Sequence, residues 1–161
     1  MIDKEIKHIL NKKITYDMII QNRTGYNHNL ELIKIRIGNK KSIIDILNDD
    51  CLDKADRMWC ILKFFPIDIQ KKIGIWSWEQ CYNDIPSGFG NGILNHICFI
   101  EKYSKEYFDD DYRNSFLSAY KCLDNAIETS ASSYDDKDKY RKKIEERNFY
   151  KLKEILKIKE S

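Results

Sequence analysis

Three histidines (His8, His28 and His96) and five cysteines (Cys51, Cys60, Cys81, Cys98 and Cys122) are the side chains best suited to nucleophilic, acid–base or metal chemistry. A cysteine nucleophile needs an imidazole within hydrogen-bond reach. His96 lies two residues before Cys98 and fifteen after Cys81, so both pairs are worth testing. On a helix, residues i and i+2 point about 200° apart, so His96 and Cys98 do not meet locally. Cys81 and His96 meet only if the glycine-rich stretch between them folds them together. There is no Cys-x-x-Cys pair and no His–Asp/Glu–His spacing, which excludes the usual zinc ligand patterns. An odd number of widely spaced cysteines is also not a disulfide framework. Apolar neighbours, as in Trp59-Cys60-Ile61 and Ile97-Cys98-Phe99, make buried, reduced thiols the expectation. The residues thus point to a protein that is not an enzyme, with no catalytic group, metal or cofactor. A small helical cysteine-dependent enzyme using Cys81 and His96 is the competing reading.

Other residues suit binding. Ser87-Gly88-Phe89-Gly90-Asn91-Gly92 offers backbone amides before a helix start, but it lacks the lysine and hydroxyl of a phosphate loop. It reads as a connector in which Phe89, between glycines, forms an exposed aromatic anchor. Trp59 and Trp76 fall on apolar helix faces and read as core. Trp78 turns away from Trp76 and precedes Glu79, which makes it an interface candidate. Carboxylates gather at Asp109–Asp111 and at Asp135, Asp136 and Asp138. These clusters bound one helix of about 24 residues, roughly 36 Å long, and so lie at opposite ends of it. Tyr134 sits beside the second cluster, so the partner-binding candidates are Tyr134, Asp135, Asp136, Asp138, Trp78 and Phe89.

The elements that must position these residues are mostly helical. Ile6, Ile9 and Leu10 share helical spacing, and Thr15 caps a short helix carrying Met18, Ile19 and Ile20. Arg23 to Asn27 reads as a turn. Leu30 to Ile37 fits a helix through Leu30, Ile33 and Ile37, but it also alternates at Ile33, Ile35 and Ile37, so a small strand pair near residues 30–37 stays open. Gly38-Asn39 ends that element, and Ser42 to Asp45 resembles a capping box. Leu52, Ala55, Trp59, Leu62 and Phe65 mark a helix that Pro66 ends. Asp68 caps the next, with Ile69, Ile73, Trp76 and Gln80 on one side. Residues 85–92 form a loop, followed by helices over 91–107 and from 109 toward the small residues of 129–133. A last helix carries Tyr140, Ile144, Arg147, Lys151 and Ile155. The expected fold class is mainly α: a single domain over residues 1–161, an antiparallel array of six to eight helices, with the weakest signals in the first fifty residues.

Composition sets the class. A chain of 161 residues with 42% apolar and 34% charged residues can build a core and is not a disordered polyelectrolyte. A formal charge of +2 excludes both a strongly basic nucleic-acid coat and a strongly acidic mimic of DNA. The basic C-terminal segment from Lys139 to Lys159 is interrupted by acidic residues and reads as a solvated face, so nucleic acid is not the expected partner. The N-terminus, Met1-Ile2-Asp3-Lys4-Glu5-Ile6, lacks the apolar core of a signal peptide, and no stretch suits a membrane span. A cytoplasmic protein is expected.

One stretch resembles a family. Leu52-Asp53-Lys54-Ala55-Asp56-Arg57-Met58-Trp59 through Pro66-Ile67-Asp68, then Trp76 and Trp78, is similar to the opening helices of all-helical immunity proteins that accompany bacterial polymorphic or contact-dependent toxins. Ile144-Glu145-Glu146-Arg147-Asn148-Phe149-Tyr150-Lys151-Leu152 resembles their closing helix. Between these stretches the family is alanine-rich, whereas this chain has four alanines in all. Over residues 52–156 the resemblance implies an all-helical protein that binds and blocks a cognate toxin, and it supplies no catalytic residues. A phage-borne inhibitor of a host defence protein would bind in the same manner and is the alternative within this class.

Overall fold

A computed structural model describes residues 3–21, 29–84 and 137–158. Of these, 73% are α-helical, in seven helices with one two-stranded sheet, so the mainly α expectation holds. The chain forms two compact units: Met1–Phe65 with Lys153–Ser161, and Pro66–Leu152.

In the first unit the first four helices each start on a local polar cap. Asp3 accepts the Glu5 amide at 2.7 Å ahead of α1 (Lys4–Asn11), which buries Ile6 and Leu10 one turn apart. The Thr15 hydroxyl accepts the Met18 amide at 3.2 Å and starts α2 (Tyr16–Ile20). Asn29 accepts the Leu32 amide at 3.1 Å and starts α3 (Leu30–Ile37). Ser42 accepts the Asp45 amide at 3.2 Å and starts α4 (Ile43–Leu47). α5 (Lys54–Ile61) passes into a 3-10 turn at Leu62–Phe64 before Pro66.

The stretch 30–37 is helical, and the strand pair lies elsewhere. β1 (Lys13–Ile14) runs antiparallel to β2 (Lys41–Ser42), with Lys13 opposite Ser42 and Ile14 opposite Lys41. Asn29 decides the matter at 30–37 by capping the first turn, while Gly38 at φ +61° stops the helix in a conformation that side chains disfavour. Nothing lies within 4 Å of a Cβ built there, so the backbone angle rather than crowding calls for glycine.

The core of this unit is aliphatic and built on isoleucine, because the sequence has no valine. Ile14, Ile19, Ile33, Ile43, Ile46 and Leu47 are fully shielded. Each such side chain contributes about 1.5–3 kcal/mol of transfer free energy. Helix α4 sits centrally, packed on α1, α5 and β2, while α2 packs on α3. The expected apolar face of α5 is buried at Leu52, Trp59, Leu62 and Phe65, with Ala55 half-buried. Asp56, Arg57, Met58 and Cys60 are buried as well, so α5 is enclosed on nearly every side rather than along one stripe.

In the second unit, the Pro66 carbonyl accepts the Ile69 and Gln70 amides at 3.0 and 3.2 Å and starts α6 (Ile67–Asp84). Asp68 therefore lies inside the first turn, where a carboxylate meets the helix dipole, and not at the cap expected from sequence. α7 (Lys137–Ile155), whose residues from Lys153 on belong to the first unit, buries Ile144, Asn148, Phe149 and Leu152. Of the residues expected at helical spacing along it, Ile144 is buried and Arg147, Lys151 and Ile155 are half-buried. Beyond Ile155 the Ile158 amide returns to the Lys153 carbonyl at 2.9 Å and the Lys157 amide to Glu154 at 3.0 Å, a Schellman ending with Lys157 at φ +56°.

The expected turn at 23–27, the loop at 85–92 and the helices over 91–107 and 109–133 lie outside the described residues.

Candidate functional site

The best-defined polar constellation centres on Asp49, just beyond α4. Its carboxylate is 2% exposed. It accepts from Arg36 Nε at 2.9 Å, Arg36 Nη2 at 3.0 Å, Lys41 Nζ at 2.6 Å and the Cys51 amide at 3.0 Å. Burial alone would push this carboxyl up. The hydrogen bonds from Arg36, Lys41 and Cys51, with the charge of Lys41, outweigh burial and hold it well below the usual carboxylate range. In return, the hydrogen bond and charge of Asp49 keep the Arg36 guanidinium more firmly protonated than usual. Lys41 Nζ also reaches the Arg36 carbonyl at 3.3 Å, so one cluster clamps the end of α3, strand β2 and the segment after α4. A second cluster holds the next turn: buried Arg57 donates from Nε to the Leu52 carbonyl at 2.8 Å and from Nη1 to Leu47 at 3.3 Å.

The clamp presents one face of α3 to solvent. Ile33 and Ile37 point inward, while Ile35 is 72% exposed and Leu30 40%. Among the described residues three large apolar side chains are exposed, and two of them share this eight-residue helix. Around them lie exposed Glu31, Lys34, Arg36 and Lys40. The Lys34 ammonium stands 5.8 Å from the Tyr16 ring centroid. Neither Lys34 nor Lys40 makes an ion pair among the described residues, whereas Arg36 and Lys41 share Asp49. The surface therefore carries two separate exposed aliphatic side chains among charges of net positive sign, on a helix whose last turn the Asp49 cluster holds. Sequence reading did not single it out. The signal was Ile35 itself: once 30–37 is helical, a residue two places from both Ile33 and Ile37 must face away from them.

Elsewhere in the first unit, the ammonium groups of Lys12 and Lys63 stand 5.4 and 5.3 Å from the Phe64 ring centroid. Lys63 Nζ also donates to the Met18 carbonyl. In the second unit Lys151 Nζ lies 5.5 Å from the ring centroid of Trp76, which is half-buried rather than core as expected, whereas Trp59 in the first unit is buried as expected. Ser77 and Asn148 are buried, and their Oγ, Nδ2 and Oδ1 meet no hydrogen-bond partner among the described residues.

Of the binding candidates read from sequence, Trp78 lies on α6 and Asp138 in the first turn of α7, with their side chains outside what is described. Phe89, Tyr134, Asp135 and Asp136 lie outside the described residues, as do His28, His96, Cys98 and Cys122. Cys81 is on α6, and His8 is exposed on α1. Cys60 is buried as expected, but Cys51 is exposed, a correction. It occupies the polar turn between α4 and α5, where Asp49 holds its amide and the thiol faces water. Among the described residues no three His, Cys, Asp or Glu side chains gather to hold a metal ion, and no helix is long and apolar enough to cross a membrane. Comparison with known families, curated proteins and solved structures finds no match for this chain.

Proposed function

We propose that this chain is a cytoplasmic binding protein of the immunity type, which neutralises a bacterial toxin by direct protein contact. The observation that carries the reading is Ile35, an aliphatic side chain 72% exposed on a helix fixed by the Asp49 clamp. Scattered exposed apolar residues are ordinary on surfaces. Ile35 differs in its setting: it shares α3 with exposed Leu30 and is ringed by charge, the layout of an apolar contact centre with a polar rim. A preformed support lowers the ordering cost of association, which a blocking protein needs in order to compete with a toxin's substrate. The choice of a toxin as the partner follows the resemblance to helical immunity proteins read in residues 52–78 and 144–152.

The test is co-expression of this chain in a bacterial host with the product of each neighbouring gene. One product that arrests growth alone, and is neutralised by this chain with recovery of a stoichiometric complex, is the expected result. Growth arrest that this chain leaves untouched, or neighbours with no toxicity, contradicts the proposal.

A further inference from the structure

The exposed face of α3 also specifies the chemistry of what it meets. On a helix wheel Leu30 and Ile35 stand about 140° apart, with Lys34 and Glu31 between them. Lys40 follows just beyond Gly38. Arg36 and Lys41 are engaged by buried Asp49, while Lys34 and Lys40 make no ion pair among the described residues. We infer that α3 docks on a protein surface whose apolar pocket is rimmed by carboxylates, with Ile35 entering the pocket and Lys34 and Lys40 facing the acidic rim. This rests on the reading of α3 as a protein-contact face and adds the partner's chemistry.

Two other occupants fit the face less well. Nucleic acid would meet Lys34 and Lys40, but it would leave Ile35 and Leu30 against a charged backbone. A second copy docking through the same face would set the cationic rims against each other, since a two-fold contact pairs each patch with itself. A carboxylate-rimmed pocket would take Ile35 and meet Lys34 and Lys40 together.

The experiment uses the intact protein labelled with nitrogen-15 and a fixed probe, a synthetic amphipathic helix with leucine on one face and glutamate on the other. Amide signals of residues 30–40 shift and saturate on titration, and raised salt weakens the binding. Ile35→Asp lowers the affinity by about tenfold or more, as does the double change Lys34→Glu with Lys40→Glu, both at exposed positions that leave the remaining spectrum in place. Absent shifts, shifts centred away from α3, or affinities unchanged in both variants overturn the inference. So does equal binding of a leucine–lysine helix or a DNA oligonucleotide, and so does self-association through α3. The growth assay reads the immunity proposal separately: neutralisation without α3 shifts overturns only the partner chemistry, and α3 shifts without neutralisation overturn only the toxin assignment.

Discussion

Arg36 and Asp49, thirteen residues apart, meet through two parallel hydrogen bonds of 2.9 and 3.0 Å that fix the last turn of α3 to the segment after α4. The carboxylate is enclosed, whereas the arginine side chain keeps 38% of its surface in water. Loss of the two partners is therefore unequal. Asp49→Ala strands two cations and the Cys51 amide and is expected to cost about 2–3 kcal/mol, while Arg36→Ala leaves Asp49 with Lys41 and costs less. Urea unfolding of both variants checks the order, and equal losses would contradict it.

Acid should release the same clamp. The folded-state pKa of Asp49 lies below its unfolded value of about 3.9, so in acid the unfolded chain binds this proton first. Its stabilisation is full above the unfolded value and is lost as pH falls through the folded one. The stability gap between the native protein and Asp49→Asn is expected to be widest near neutral pH and to narrow below about pH 4. A gap that widens on acidification would show that the clamp does not govern the titration.

Much of the first unit was legible because its signals are local. Thr15 and Ser42 cap the helices they precede, Gly38 stops α3, and Pro66 separates α5 from α6. Each depends on residues within one turn. The Asp49 cluster was not legible, because its ligands come from eight and thirteen residues away and nothing in their spacing marks them as neighbours. Strands of two residues carry no alternation to read, so β1 and β2 left no trace in the sequence. On α7 the helical spacing through Ile144 was legible, whereas the burial of Phe149 and Leu152 was not singled out from the sequence. Of the contact surface, Leu30 and Ile35 were visible only as part of an ambiguous helix or strand.

The end of α7 holds correctable strain. Lys157 adopts φ +56° at the position of a Schellman ending where glycine is preferred. It is exposed, so Lys157→Gly removes little packing. The variant should be more stable by about 0.5–1 kcal/mol, seen as a higher urea midpoint at unchanged slope. A lower midpoint would indicate that the lysine side chain stabilises this end.

Ser77 buries its hydroxyl within the second unit with no hydrogen-bond partner among the described residues. An unpaired buried hydroxyl costs about 1–3 kcal/mol, and alanine removes it with almost no change in volume. Ser77→Ala is expected to match or exceed the native stability. A loss above about 1 kcal/mol would reveal a hydrogen bond to a group outside those described.

The two described cysteines of the first unit should separate cleanly under a thiol reagent. Cys51 is exposed and reacts in the native protein, whereas Cys60 is buried and reacts only on unfolding. Mass mapping of the labelled sites decides this, and native labelling of Cys60 at the rate of Cys51 would contradict the packing of α5.

The most direct measurement takes Ile35→Asp into the growth assay beside the native chain, with the toxin supplied from the neighbouring gene. Because Ile35 is 72% exposed, the substitution leaves the core intact, and matched thermal melts establish that. The expected result is protection by the native chain and its loss with Ile35→Asp, accompanied by at least about a tenfold weaker complex. Full protection by a folded Ile35→Asp variant, at unchanged affinity, would contradict the role of α3 as the surface through which this protein acts.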